Sequence, residues 1–487
     1  MRMKTNPTRA LKKKYDSMSI QAKAAAWFVF CSFLQKGISF ITVPIFTRLL
    51  STEEYGTYSL YISWLQILTI ITTLNLSYGV LDNAMSKFDS DRSRYISAMQ
   101  GLTITITTIV FAVYLCAMGF WESVLRLSRP FVLLMFFEVY LVPGLSFWSG
   151  REKFEYHYKK LVFVTLAKSI TNPVLGIIFV YWKVFSDKAF GRIISSVIID
   201  LIVCGSIIVF QFIKGKTFYI KKYWKYGLSL ALPMIPHYLS GTILNQGDRI
   251  VIERLIDKST VAYYSVAYSI GMLVQIFTHA VNSATTPWFY NKFKNKDISD
   301  ISKTVSGLLL FVAGICICIM TLSPELVSIF GSAEYEAGAY VVPPVAASVY
   351  YIFMYYIFSL PEFYFEKTSF MFVASLVAAI VNIGLNFLFV RWFGFVAAGY
   401  TTLVCYVLYG VGHYIIGNRI LKASIGTSKI YDMKVVTGIS VLLIAYTICI
   451  SFFFDYCLIR YGILMVGVLI AIVKRKTIVS LLVRNKN

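Results

Sequence analysis

Apolar runs long enough to cross a bilayer, which takes roughly 20 residues, follow one another along almost the whole chain. Only short charged hairpins part them. Inside a bilayer every backbone polar group must be satisfied internally, so helices and closed barrels are the available solutions. A barrel would show short alternating segments, and these runs do not alternate. Of the 487 residues, 57% are hydrophobic and 14% charged, against about 25% charged in an ordinary soluble domain. The expected fold class is an all-α integral membrane protein.

Fourteen spans are predicted, over residues 22–50, 55–80, 95–119, 130–148, 161–182, 190–213, 226–251, 260–288, 304–323, 339–360, 369–390, 395–416, 433–453 and 457–473. With the N-terminus inside, Lys and Arg outnumber those of the outside segments about threefold, which orients both termini to the cytoplasm. The net charge of +22 is thereby spent on orientation, and nucleic acid is not an expected partner. Lys12, Lys13 and Lys14 followed by apolar sequence resemble a signal peptide. The run from Ala22 to Leu50 is too long for one and carries Lys36 in its middle, so it is read as the first span. The eight cysteines lie mostly in apolar runs, without CxxC or metal-ligand spacing, and are expected to be packing residues.

The chain repeats itself. "RLLSTEEYGTYSLYIS" (48–63) aligns with "RLIDKSTVAYYSVAYS" (254–269), matching Arg48 to Arg254 and Tyr58, Ser59 and Ser63 to Tyr264, Ser265 and Ser269. "ITNPVLGIIFVYW" (170–182) aligns with "IVNIGLNFLFVRW" (380–392), where Asn172 and Asn382 are mates. Two matches in order at nearly one offset predict two parallel six-span lobes. The expected division is an N-terminal lobe over 1–213, a basic cytoplasmic linker over 214–227, a C-terminal lobe over 228–420, and two extra spans with a tail over 421–487. Two similar bundles make a transporter architecture, with substrate expected near the midplane between them.

In "FTRLLSTEEYG" (46–56), Ser51 and Glu54 have capping-box spacing, and Leu50 and Tyr55 are placed for a hydrophobic staple. The motif therefore starts the second helix, whose positive end its acids complement. The longer string "VPIFTRLLSTEEYGTYSLYIS" resembles the first hairpin of bacterial polysaccharide flippases, members of the multidrug/oligosaccharidyl-lipid/polysaccharide exporter superfamily. "NQGDRIVIERLIDKSTVAYYSVAYSI" (245–270) resembles the matching hairpin of the second lobe. The resemblance implies a flippase in the bacterial cytoplasmic (inner) membrane. It would carry undecaprenyl-diphosphate-linked oligosaccharide to the outer leaflet for O-antigen, capsule or a related polymer. It also implies a polysaccharide polymerase and a chain-length regulator as partners.

Ionisable groups inside spans are costly and call for a function or a partner. Lys36 stands about 21 Å from either end of its span, at 1.5 Å per residue, too far to snorkel. It is expected to bind the substrate's diphosphate or to pair with Glu138 or Asp200. Lys168, Arg249 and Arg48 complete the expected cationic cavity, since such groups donate charge-assisted hydrogen bonds to phosphate. Asp82, Glu138, Asp200, His237 and Asp248 are coupling or gating candidates. The acids can carry a coupling ion or neutralise the lysines, and a histidine titrates near neutral pH. The seventh span, with Pro233, Pro236, Gly241 and Gly247, is predicted to be broken, which marks transport sites. Asn75, Asn172, Asn282 and Asn382 are sugar-contact candidates, with Asn386 in the same group; helix packing is the alternative.

No Walker A string is present. No cofactor is expected, and a proton or sodium ion is the expected coupling ion in an alternating-access cycle. Rival readings are a lipid II flippase or a cation-coupled drug exporter of the same fold, a glycan polymerase, and a non-transporting scaffold. A polymerase would want a large outside loop with catalytic side chains. The longest outside loop, "SPELVSIFGSAEYEAG" (323–338), has three glutamates and no Lys, Arg or His, so the chain is not expected to be an enzyme.

Overall fold

The computed structural model describes residues 16–367, 369–427 and 430–473. The basic flank Lys12–Lys14, Lys429 and the tail, on which the orientation of both termini rests, lie outside the described residues. Among the described residues all regular structure is helical.

The chain forms two compact units: the segment up to Leu49 with Trp64–Ile235, and Leu50–Ser63 with Pro236 onward. The first unit contains α1 (Ile20–Leu49), α3 (Val80–Lys87), α4 (Arg92–Cys116), α5 (Met118–Leu125), α6 (Arg129–Phe154), α7 (Tyr158–Tyr181), α8 (Lys188–Asp200), α9 (Ser206–Gly215) and α10 (Lys221–Ala231). Helix α2 (Thr52–Thr73) contributes its first half to the second unit and its second half to the first. The second unit continues with α11 (Ile235–Leu255), α12 (Lys258–Gly271), α13 (Val274–Lys294), α14 (Ile301–Thr321), α15 (Ser323–Phe330), α16 (Val342–Tyr364), α17 (Ser369–Phe393), α18 (Val396–Ile425), α19 (Met433–Cys449) and α20 (Cys457–Val473).

Ten helical segments among the described residues are long and apolar enough to cross a membrane. The other four predicted spans fall on α2, on α10 with α11, on α18 and on α20, so the architecture is compatible with fourteen. The predicted span 55–80 is too long. Its helix stops at Thr73, because Leu74 and Asn75 take left-handed backbone (φ 49° and 51°) and turn the chain. Asn75 therefore lies in a turn rather than in a span. An asparagine tolerates that conformation better than most residues.

The basic stretch 214–227 is more than a linker. Tyr223 donates its hydroxyl to Asp91 (2.9 Å) and Trp224 its indole N–H to the Ala98 carbonyl (2.8 Å). Tyr223 also joins Phe88 and Tyr95 in an aromatic cluster. These contacts fasten α10 to the first unit, and the boundary falls at Ile235 instead of near 213.

The predicted break in the seventh span is a single one. α10 ends at Ala231, a 3-10 turn covers Leu232–Met234, and α11 runs on through Gly241 and Gly247 without interruption. Pro236 sits in the first turn of α11, where no intrahelical N–H is lost. Four of the eight cysteines are buried and four, Cys116, Cys318, Cys449 and Cys457, are exposed, so only half are core packing.

In the second unit α16 is the central helix, buried along most of its length. Gly417 of α18 lets that helix approach it: a Cβ there would stand 2.4 Å from the Phe358 carbonyl oxygen. α19 and α20 pack against α14, where Tyr446 of α19 shares a hydrogen bond with Thr321 and Arg460 of α20 pairs with Glu325 at 2.6 Å and donates to the Thr321 carbonyl.

Candidate functional site

The capping box forms as the local spacing requires. The Glu54 amide donates to Ser51 Oγ (3.2 Å) and the Ser51 amide to Glu54 Oε2 (2.8 Å). Leu50 and Tyr55 are both buried. Asp257 caps α12 through the Thr260 amide at 2.7 Å, and Thr52 Oγ1 donates to Ser259 Oγ at 3.1 Å. The two hairpins that match in sequence thus meet at their caps. Arg48 is exposed at the end of α1 and donates to the Pro44 carbonyl at 2.8 Å.

Lys36 is exposed midway along α1, and among the described residues no carboxylate pairs with it. The expected partner Asp200 is engaged elsewhere. It is buried and lies 2.6 Å from Lys168 Nζ, a close ion pair not aligned as a hydrogen bond. Glu138 is buried in α6. Beside Lys36, Gln35 donates to Ser169 (3.2 Å). A cavity of about 230 Å³ there is lined by Ser32, Gln35, Ser146, Ser149, Lys153 and Thr165, among others. Hydroxyls, an amide and the Lys153 ammonium thus face an opening along α1, α6 and α7 whose remaining lining is apolar; such polar groups recognise sugar hydroxyls.

Two further first-unit candidates sit apart from this cavity. Asp82 is exposed in the first turn of the short amphipathic α3, beyond the turn that ends α2. Asn172 accepts from Ser196 Oγ at 3.1 Å. Ser196 in turn accepts from Arg192 Nη1 at 2.7 Å. Arg192 is a buried cation that sequence reasoning passed over; its guanidinium lies 4.6 Å from the Phe46 ring centroid.

The second unit gathers its candidates more tightly. Asp248 in α11 is fully buried and accepts from three donors on three helices: Tyr264 OH of α12, Asn386 Nδ2 of α17 (2.5 Å) and Thr402 Oγ1 of α18 (2.9 Å). Asn382 donates to Thr402 (3.1 Å) and accepts from Asn386 (3.2 Å), and Thr401 donates to Asn386. Three donors thus converge on one carboxyl group inside low-dielectric protein. Asn382 and its mate Asn172 make the same kind of contact, an asparagine to a hydroxyl on the following span.

Arg249 is buried beside Asp248. Its Nε donates to Ser265 (3.0 Å), its Nη1 to the Asn245 carbonyl (2.9 Å), and it stacks 4.6 Å from the Tyr268 ring centroid. Two of its donors are taken up inside the unit, whereas Lys36 is exposed. His237, in the first turn of α11, shares a hydrogen bond with Ser375 at 2.9 Å. Asn282 lies half-buried in α13.

Sequence reasoning missed the most enclosed ionisable pair. Glu362 of α16 and His413 of α18 have no solvent exposure and stand 2.6 Å apart, Oε1 to Nδ1. The signal was present in each: an acid near the end of an apolar span and a histidine within one.

Residues 22–293, more than half of the chain, match the family model described as polysaccharide biosynthesis protein. The chain belongs to the polysaccharide biosynthesis protein family. This agrees with the resemblance carried by its two hairpin strings. The Haemophilus influenzae protein described as Lsg locus putative protein 1 is 24% identical over 363 residues, 72% of this chain and 86% of its own. Among solved structures, the lipid II flippase MurJ in an inward closed conformation superposes with a TM-score of 0.70. It covers 93% of this chain and 99% of its own at 16% identity. An inward-facing MATE family multidrug resistance transporter of the MOP superfamily reaches a TM-score of 0.62. It covers 80% of this chain and 95% of its own at 14% identity. This polysaccharide biosynthesis family member therefore has the multi-pass membrane fold seen in those flippases and exporters.

Proposed function

We propose that the chain moves undecaprenyl-diphosphate-linked oligosaccharide repeat units from the cytoplasmic to the outer leaflet of the bacterial inner membrane by alternating access. The product would feed synthesis of a surface polysaccharide such as O-antigen or capsule. The observation that carries this reading is Lys36, a cation midway along a spanning helix, without a carboxylate partner among the described residues. A lysine at that depth requires water or an anion, and a lipid diphosphate supplies the anion. The hydroxyl- and amide-lined cavity beside it suits sugars. Family membership and the shared flippase fold support the same substrate class.

Asp248 is the leading coupling group of this reading. Its buried carboxyl accepts from two hydroxyls and one amide N–H, a group that can take up and release a proton or meet a cation when those donors turn away. Glu138, Asp200 and Asp82 are weaker candidates, since Asp200 is already neutralised by Lys168 and Asp82 lies on an exposed helix. Polymerase and chain-length proteins would receive the product. A second reading, a lipid II flippase, is favoured by the MurJ superposition.

Deletion of the gene in its host separates these readings. Loss of surface polymer with lipid-linked repeat units accumulating inside supports the proposal. Loss of cell-wall synthesis instead supports the lipid II reading. Unchanged polymer with increased drug sensitivity contradicts both and points to a drug exporter.

A further inference from the structure

Buried polar atoms in folded proteins nearly always have partners. Glu362 and His413 satisfy each other on one side only: Oε1 meets Nδ1 at 2.6 Å, with both residues fully enclosed. Glu362 Oε2 and His413 Nε2 have no hydrogen-bond partner among the described residues. A pair kept purely for stability would gain from completing those bonds. Buried ion pairs are in any case weak stabilisers relative to apolar residues of the same shape. The second oxygen of the acid and the second nitrogen of the base are thus both open to one more proton.

The surroundings fit. Tyr409 of α18 presents its ring edge to His413 (centroids 4.6 Å apart) and Tyr355 of α16 lies 4.8 Å away. Phe370 of α17 closes a further side at 5.5 Å. His237 of α11 hydrogen-bonds Ser375 of α17, the helix that carries Phe370. The titratable groups in contact with the pair are Tyr355 and Tyr409, with His237 on the neighbouring α11. No lysine or arginine is paired with it among the described residues.

The pair also stands in a line. Thr402, Tyr406, Tyr409 and His413 fall on one face of α18, at helical spacings of four, three and four residues. The stripe covers about 16 Å at 1.5 Å per residue. Its first member donates to Asp248. Its second donates to Asn245 (3.3 Å), which also accepts from Tyr268. Tyr409 is stacked with Tyr355 at 4.5 Å. Polar side chains thus run from the Asp248 network to the Glu362–His413 pair inside one unit.

We propose that Glu362 and His413 form a proton-binding site that exchanges one proton when water reaches it. In the empty state Glu362 is a carboxylate accepting Nδ1–H from neutral His413, and the pair carries one negative charge. A proton from water adds at Nε2, giving imidazolium with carboxylate, or at Oε2, giving carboxylic acid with imidazole. Either product is neutral. Both residues are fully enclosed, so exchange of this proton requires water to reach the pair. That this exchange accompanies transport rests on the flippase reading above; the proton site itself does not.

The test is infrared difference spectroscopy of the full chain in lipid, stepped between acid and alkaline pH. Wild type is compared with Glu362→Gln, His413→Gln and Asp248→Asn. The proposal expects a carboxyl and imidazole signal that is lost in Glu362→Gln, shifted in pH in His413→Gln, and retained in Asp248→Asn. A signal unchanged in Glu362→Gln overturns it. If that variant does not fold, wild type labelled with carboxyl-¹³C glutamate answers the question. The band moves if a glutamate carries it, and an unmoved band overturns the proposal. Transport of undecaprenyl diphosphate bearing one fluorescent sugar is then followed in liposomes against pH. Failure of wild type to move this probe counts against the flippase reading and leaves the infrared result standing. Transport by wild type with a pH profile unchanged in Glu362→Gln overturns the role of the pair in the cycle.

Discussion

Gly56 of α2 lies against the backbone of Lys258, so closely that a Cβ on Gly56 would stand 1.8 Å from the Lys258 carbonyl oxygen. The glycine in "STEEYG" is therefore a spacer that lets one repeated hairpin close on the other. Gly56→Ala forces a backbone shift, with an expected cost of about 1–3 kcal/mol. Gly37→Ala is the control, because a Cβ there meets nothing within 4 Å, and helix propensity favours alanine. Thermal unfolding in one detergent should show Gly56→Ala melting well below wild type and Gly37→Ala at or above it. Equal melting temperatures would refute the close-packing account.

The Lys168–Asp200 pair is buried on its acidic side. Breaking such a pair from one side typically costs about 3–5 kcal/mol, while replacing both partners with apolar residues can be neutral. Lys168→Met alone should therefore destabilise more than Lys168→Met combined with Asp200→Leu. A double-mutant cycle on unfolding measures this. Additive losses would mean the two charges are not coupled.

Asp248 has three donors, and Asp248→Asn keeps the shape while removing the charge. Hydrogen bonds to charged groups are worth about 1.5–3 kcal/mol, so transport driven by a pH or sodium gradient should fall about tenfold or more. Thr402→Val should fall in the same direction by less. Liposome transport with and without each imposed gradient checks this. Full gradient response in Asp248→Asn would remove it as the coupling group.

Glu325 gives a pH prediction outside the spans. Burial pushes its carboxyl up, but hydrogen bonds from Arg460 and Tyr461 outweigh this and hold it below the usual carboxylate range. A depressed folded value means stability that is present above the unfolded value and lost as pH falls through the folded one. The gap in melting temperature between wild type and Glu325→Gln should be full at neutral pH and close in acid. A gap that widens in acid would contradict the pairing.

What was legible follows from how local each interaction is. The capping box of Ser51 and Glu54 needs only four consecutive residues, and it formed. Asp248 stood out as a charge in an apolar run, yet its partners Asn386 and Thr402 are more than a hundred residues away, and no local pattern names them. Glu362 fell just past the predicted end of its span at 360, where an acid looks like an interface residue. His413 then had no visible partner. Asn75 was misplaced because hydropathy continues past Thr73, whereas the helix ends where the backbone turns left-handed. The prolines of the seventh span suggested several breaks. Only Pro233 makes one, since Pro236 falls at a helix start.

The central claim is that a cation midway along α1 serves a lipid-linked diphosphate. The most direct measurement scores surface polysaccharide in a deletion strain of the host carrying wild type, Lys36→Ala or Lys36→Arg at matched membrane levels. The account predicts that Ala abolishes polymer while lipid-linked repeat units accumulate inside, and that Arg restores it. Normal polymer with Lys36→Ala would contradict the account.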